Sequence, residues 1–117
     1  MMNVFRKVLN FLSKRANSQC SLSIDTNGVR YFKDNIEKDG FSWIDCQRVV
    51  TYKDDLVTSD LICLEFEIKS GKVYLAHEEQ HGFMGLINIL CEAFPLIDKS
   101  WYENVMQGSV QKTVSFR

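Results

Sequence analysis

The sequence predicts an α+β domain: a curved antiparallel sheet packed against a long helix near residues 79–94, with an amphipathic helix at the N-terminus. Three observations carry this. Ile62, Leu64, Phe66 and Ile68 alternate with Cys63, Glu65, Glu67 and Lys69, and a period of two marks a half-buried strand because successive side chains point to opposite faces. Asn27-Gly28 separates two alternating runs, the strongest short hairpin signal, since both residues tolerate positive φ. Phe83, Leu86, Ile87, Leu90, Cys91 and Phe94 recur at i, i+3, i+4, i+7, i+8 and i+11, the spacing of a helix with one buried face. A chain of 117 residues suits a single domain. Its expected parts are an N-terminal helix (1–17), a sheet (19–77), the main helix (79–94) and a short helix (100–107).

Val4, Phe5, Val8, Leu9 and Leu12 lie at helical spacing, with Arg6, Lys7, Lys14 and Arg15 elsewhere on the cylinder, which predicts the first helix. Cys20, Leu22 and Ile24 then alternate with Ser21, Ser23 and Asp25. A two-residue loop at Asn27-Gly28 sets Asp25 opposite Arg30 and Ile24 opposite Tyr31, so charge meets charge and apolar meets apolar. Asp39-Gly40 reads as the next turn, and Phe41 and Trp43 begin a short strand. Residues 45–48 read as a bulge or a single helical turn, and Val49, Val50 and Tyr52 continue the sheet. Residues 53–60 form a polar loop broken by Leu56 and Val57. Residues 61–69 are the central strand, Ser70-Gly71 turns it, and residues 73–76 return with Phe66 opposite Leu75 and Ile68 opposite Val73.

Glu78 and Glu79 stand where the main helix is expected to begin, and the macrodipole favours acids there. Pro95 ends the helix at Phe94, because the residue before proline avoids helical geometry. Ser100-Trp101-Tyr102-Glu103 has capping-box form, and Gly108 stops this second helix. Residues 110–116 either add a last strand or trail.

Composition excludes several classes. A net charge of −1 leaves no basic footprint for nucleic acid. Cys20, Cys46, Cys63 and Cys91 form no CxxC pair, so zinc-ribbon spacing is missing. Three of them sit in apolar patterns and read as reduced core residues, consistent with a cytoplasmic protein. No cleavage site follows the N-terminal segment, so it does not read as a secretory signal, and no segment reaches the roughly 18 apolar residues that span a bilayer. There is no P-loop and no Gly-rich dinucleotide fingerprint, and no cofactor is expected.

His77-Glu78-Glu79-Gln80-His81 matches H-E-x-x-H, in which two histidines one helical turn apart hold zinc and the glutamate is the general base. Three points turn the reading away from a metal site. His77 continues the alternation of residues 73–76, so it ends a strand while His81 opens a helix. On an earlier-starting helix both histidines fall well away from the apolar stripe. Met84 and Ile87 stand where a metzincin has glycine and a third histidine, and nothing singles out Glu92 or Glu103 as the missing ligand. Asp54, Asp55 and Asp60 lack the alternation, central glycine and final glutamate of a calcium loop. They read as a solvated loop or as an acidic surface for a basic partner. Phe32 and Tyr74 fall on outward faces of their hairpins, and exposed aromatics point mildly to a protein interface. Trp43 and Trp101 read as core residues.

Trp43-Ile44-Asp45-Cys46, Tyr52-Lys53-Asp54-Asp55-Leu56 and Asp60-Leu61-Ile62-Cys63-Leu64 resemble the Trp-x-Asp-Ile, Tyr-Lys-x-Asp-Leu and Asp-x-Ile-Cys-Leu pattern of a family of small, uncharacterised bacterial proteins. Cys46 departs from the pattern's isoleucine. Gly82-Phe83, Phe94-Pro95 and Trp101 extend the likeness to roughly residues 40–105. A strand-rich body closed by one helix is also similar to pleckstrin-homology-like domains, an analogy of fold alone. The resemblance implies no activity. The expected function is a non-enzymatic, cytoplasmic protein-interaction module of regulator or immunity type, with Asp54, Asp55, Asp60, Phe32 and Tyr74 as partner-binding candidates. Residues 1–17 offer a membrane-surface anchor as an alternative, and a small zinc hydrolase at His77 and His81 is the remaining one. Oligomeric state is left open.

Overall fold

A computed structural model describes residues 19–55, 60–108 and 112–116, with side chains at 54, 55, 60 and 112–116 left aside. The N-terminal helix expected at 1–17 lies outside the described residues. Two antiparallel sheets make the α+β body. The first has the order β1-β2-β3, from β1 (Ser21–Ile24), β2 (Gly28–Lys33) and β3 (Ile36–Ser42). A 3-10 turn, Trp43–Asp45, leads into the second. Its strands are β4 (Cys46–Asp55), β5 (Asp60–Ile68), β6 (Val73–His77) and β7 (Lys112–Phe116), in the order β6-β5-β4-β7. Two short helices, α1 (Gly85–Ala93) and α2 (Trp101–Met106), separate β6 from β7.

The alternation in β5 sets the interior. Ile62, Leu64, Phe66 and Ile68 are buried, while Glu65 and Glu67 on the other face are half-buried. Around Phe66 the rings of Phe41 and Trp43 pack at 5.0 and 5.7 Å, and Phe94 reaches Trp43 at 6.2 Å. Tilted and edge-to-face contacts of this kind add to the area they remove from water. Val29 and Tyr31 of the first sheet, Val49 and Leu64 of the second, and Leu86, Leu90, Trp101 and Val105 of the helices join one hydrophobic cluster. Both tryptophans are buried, as their sequence context predicts.

The hairpins differ from expectation in register. Ile24 pairs with Val29, Leu22 with Tyr31 and Ser23 with Arg30, so Asp25 does not face Arg30. The loop shifts because the Asp25 carboxylate accepts from the N–H groups of Asn27 (2.8 Å) and Gly28 (3.1 Å), an Asx turn. A shift of two pairs leaves each side chain on its predicted face. Gly28 is needed for a different reason from the one expected. Its backbone is not left-handed, but a Cβ there would lie 2.0 Å from the Phe41 carbonyl oxygen. The left-handed pair is Asp34-Asn35 (φ 55° and 65°), a two-residue turn between Lys33 and Ile36. Asp39-Gly40 is therefore no turn, and β3 runs through it.

The β5–β6 hairpin is displaced by one residue. Phe66 faces Tyr74, not Leu75. The loop holds one residue more than Ser70-Gly71. The Gly71 N–H (φ 97°) donates to the Ile68 carbonyl, and the Ile68 N–H donates to the Lys72 carbonyl. One step in register turns every β6 side chain over. Tyr74 and Ala76 therefore face the core, and Tyr74 is no outward aromatic. Its ring stacks on Tyr31 at 5.7 Å.

The Tyr74 hydroxyl donates to the Asp39 carboxylate (2.8 Å) and approaches the Gly40 carbonyl (3.0 Å), and the Lys72 ammonium reaches the same carboxylate at 3.0 Å. The Gly40 N–H completes the set at 2.8 Å. Asp39 thus ties the open edge of β3 to β6. Burial pushes its carboxyl up, but the hydrogen bonds from Lys72, Gly40 and Tyr74 outweigh that and hold it below the usual range. A carboxylate with a depressed folded value stabilises above its unfolded value and loses the contribution as pH falls through the folded one. Asp39→Asn is expected to cost about 1 kcal/mol at neutral pH, since the pair is partly exposed. The loss should shrink below about pH 4, read as converging urea midpoints of the two proteins on acidification.

The main helix is shorter than its apolar period suggests. It starts at Gly85, not near residue 79, and Glu78 and Glu79 do not sit at its N-terminus. Residues 80–84 instead form successive turns, with Phe83 N–H donating to Gln80 and Gly85 N–H to Gly82. Gly82 at φ 94° cannot continue a helix. The helix ends at Phe94, as Pro95 requires. Ser100 makes no side-chain cap at α2. Asp98 replaces it, accepting from the Ser100 N–H at 2.8 Å. Gly108 (φ 72°) closes α2 as expected, and β7 is a true strand on β4.

Candidate interaction surface

The H-E-x-x-H segment does not form a metal-binding helix. His77 is the last residue of β6, and His81 lies exposed in the turn before α1. The segment's polar atoms hold the fold. Gln80 is buried; its side-chain oxygen accepts from the His77 N–H (2.8 Å), and its amide donates to the Cys20 carbonyl (2.9 Å). The Glu78 carboxylate accepts from the Ile62 N–H (3.0 Å) and from the Tyr102 hydroxyl (3.1 Å). Burial, followed by that carboxylate, raises the Tyr102 hydroxyl above its ordinary value. The His77 Nδ1 accepts from the Glu79 N–H at 3.3 Å. The His81 carbonyl accepts from the Leu22 N–H at 2.8 Å. Among the described residues, no three histidine, cysteine, aspartate or glutamate side chains are grouped to hold an ion.

Gln80→Ala therefore removes the side-chain donor to the buried Cys20 carbonyl and the acceptor of the part-buried His77 N–H. The expected loss is about 2 kcal/mol, seen as a lower urea midpoint with an unchanged slope.

The acidic residues lie at one hairpin end. The loop expected over residues 53–60 is strand at both ends, because β4 continues to Asp55 and β5 starts at Asp60. Asp55 and Asp60 are register partners, with Asp54 opposite Leu61. Their side chains lie outside those described. Phe32 keeps its predicted place, half-buried on the face opposite Tyr31. Tyr74 does not join the surface. The structure thus separates the five partner-binding candidates, bringing together only the aspartates at the β4–β5 end.

Among the described residues, surface hollows lie elsewhere, two of them as follows. One follows β3 over about 440 Å³ and is lined by residues from Glu37 to Ser42 with Arg30. Its polar groups are largely paired: Arg30 approaches Glu37 at 3.9 Å, and Asp39 is tied to β6. The other is a notch of about 200 Å³ between the β1–β2 turn and α1, lined by Thr26, Trp43, Ile89, Glu92 and Ala93. Trp43 is held there by its indole N–H, which donates to the Asp25 carbonyl at 2.9 Å, and by its main-chain N–H on the Asn27 carbonyl. The next residue, Ile44, is 70% exposed. Sequence reasoning passed over this notch. Its signal was Glu92, an acid in the last turn of a helix where the macrodipole favours bases. No family model, curated protein or solved structure matches the chain.

Proposed function

We propose that this domain is a non-enzymatic protein-interaction module, a bacterial-type regulator or immunity-like protein that works in the cytoplasm. The observation that carries the reading is the fate of the H-E-x-x-H segment. Its glutamate and glutamine side chains bind backbone groups from β5, β6 and Cys20 and the Tyr102 hydroxyl, so they are committed to packing rather than aimed at a substrate. No disulfide joins Cys20, Cys46, Cys63 and Cys91, which suits a reducing compartment. No helix among the described residues is long and apolar enough to cross a membrane. In this reading the two open sheets form a roll of the pleckstrin-homology-like kind, with the short α1 at its mouth. The Trp43–Leu64 motifs belong with the small bacterial family that they resemble.

The test is affinity purification of the tagged full chain from its own cells, followed by reconstitution from purified components. A stoichiometric complex that survives gel filtration supports the reading. Recovery of the chain alone, together with turnover or stoichiometric zinc that His77→Ala and His81→Ala abolish, would replace it with the hydrolase. The basic and apolar pattern of residues 4–15 favours one further reading, a membrane-surface adaptor. Flotation on anionic liposomes, lost on deleting residues 1–17, is the result it requires.

A further inference from the structure

We propose that the notch beside Trp43 receives an arginine side chain of a protein partner, its stem against Trp43, Ile89 and Ala93 and its guanidinium on Glu92. This rests on the interaction-module reading and names the chemistry of the contact.

The walls suit such a side chain. Trp43, Ile89 and Ala93 give apolar surface, and Thr26 and Glu92 supply the polar part. Phe41, Phe66 and Phe94 brace the indole from within at 5.6, 5.7 and 6.2 Å, so the wall is rigid before anything binds. Rigid aromatic walls lower the ordering cost of association. A long basic side chain buries its methylenes on such a surface while its charged head stays at the rim, and a guanidinium also stacks on aromatic faces.

Two sources of negative potential lie at this rim. Glu92 is one, and among the described residues no lysine or arginine lines the notch. The C-terminal end of α1 is the second: Glu92 is its penultimate residue, and the last turn holds no basic residue. An acid at that end is disfavoured unless a cation accompanies it. A cation seated here would pair with Glu92 and meet the carbonyl end of α1. A guanidinium fits better than an ammonium, because it pairs with a carboxylate through two parallel bonds and is more weakly hydrated.

The experiment titrates ¹⁵N-labelled full chain with the capped peptide acetyl-Gly-Arg-Gly-amide and with its citrulline counterpart, which is neutral and of nearly the same shape. The arginine peptide is expected to move the Trp43 indole and Ala93 amide resonances, leaving the Trp101 indole in place, with a Kd on the order of 1–10 mM. Glu92→Gln should weaken this about fivefold or more. Ala93→Met should abolish it by filling the notch. Both substitutions lie outside the closed core, and an otherwise unchanged spectrum verifies the fold. Equal shifts with citrulline, an unchanged titration in Glu92→Gln, or no shift at about 50 mM peptide would overturn the assignment. Because the readout needs no partner, a failed notch leaves the interaction reading standing. A failed purification likewise leaves the titration interpretable.

Discussion

Phe66→Ala is expected to remove about 3–5 kcal/mol of stability. That is much of the 5–15 kcal/mol a domain of this kind possesses. Phe66 is fully buried in the second half of β5, with the Phe41 and Trp43 rings against it and Tyr74 as its partner in β6. Those rings are held by other contacts. The Trp43 indole is bonded to the Asp25 carbonyl, and the Tyr74 hydroxyl to Asp39. They cannot collapse into the vacated space, so the cavity contribution adds to the lost transfer energy. Urea unfolding monitored by circular dichroism should show a much lower midpoint, or a chain already partly unfolded in buffer. A loss under about 1 kcal/mol would mean that the two sheets do not share one interior.

The second large effect is expected at Gly82. A Cβ there would lie 2.0 Å from the Leu22 carbonyl oxygen, and its φ of 94° is left-handed. Gly71 is the natural control. Its φ of 97° is nearly the same, yet a Cβ would meet nothing within 4 Å. Gly71→Ala should cost only the backbone strain, about 1–2 kcal/mol. Gly82→Ala carries that strain and also pushes β1 off the turn, breaking the Leu22 N–H to His81 carbonyl bond of 2.8 Å. The added loss is about 2 kcal/mol or more, so the two variants should differ by that amount in the same denaturation experiment. Equal losses would show that β1 moves aside without cost.

These positions also show which parts of the fold were legible in the sequence. Side-chain alternation depends on near neighbours, so the buried faces of β1, β2 and β5 were readable from Leu22, Tyr31 and Phe66. Registers depend on loop geometry. At Ser70-Gly71 one additional loop residue was enough to turn Tyr74 inward, and the carboxylate of Asp25 moved the first hairpin by two pairs. The start of α1 was misplaced for another reason. Apolar residues keep helical spacing back to Phe83, but Glu78 and Gln80 take partners as distant as Cys20, 60 residues away. No local pattern encodes such a bond. The same holds for the notch, where Thr26 and Glu92 meet only because Trp43 draws the first turn and α1 onto a common floor.

At Gly40 the border strand of the first sheet has its outward amide occupied by its neighbour's carboxylate. Another molecule seeking to extend the sheet there would have to displace an ionised group already held by a lysine and a tyrosine. Proteins often guard such borders with charge, and here the guard is wired to the opposite sheet. Crowded, freshly made copies of this chain therefore have one less place at which to zip together into fibrils.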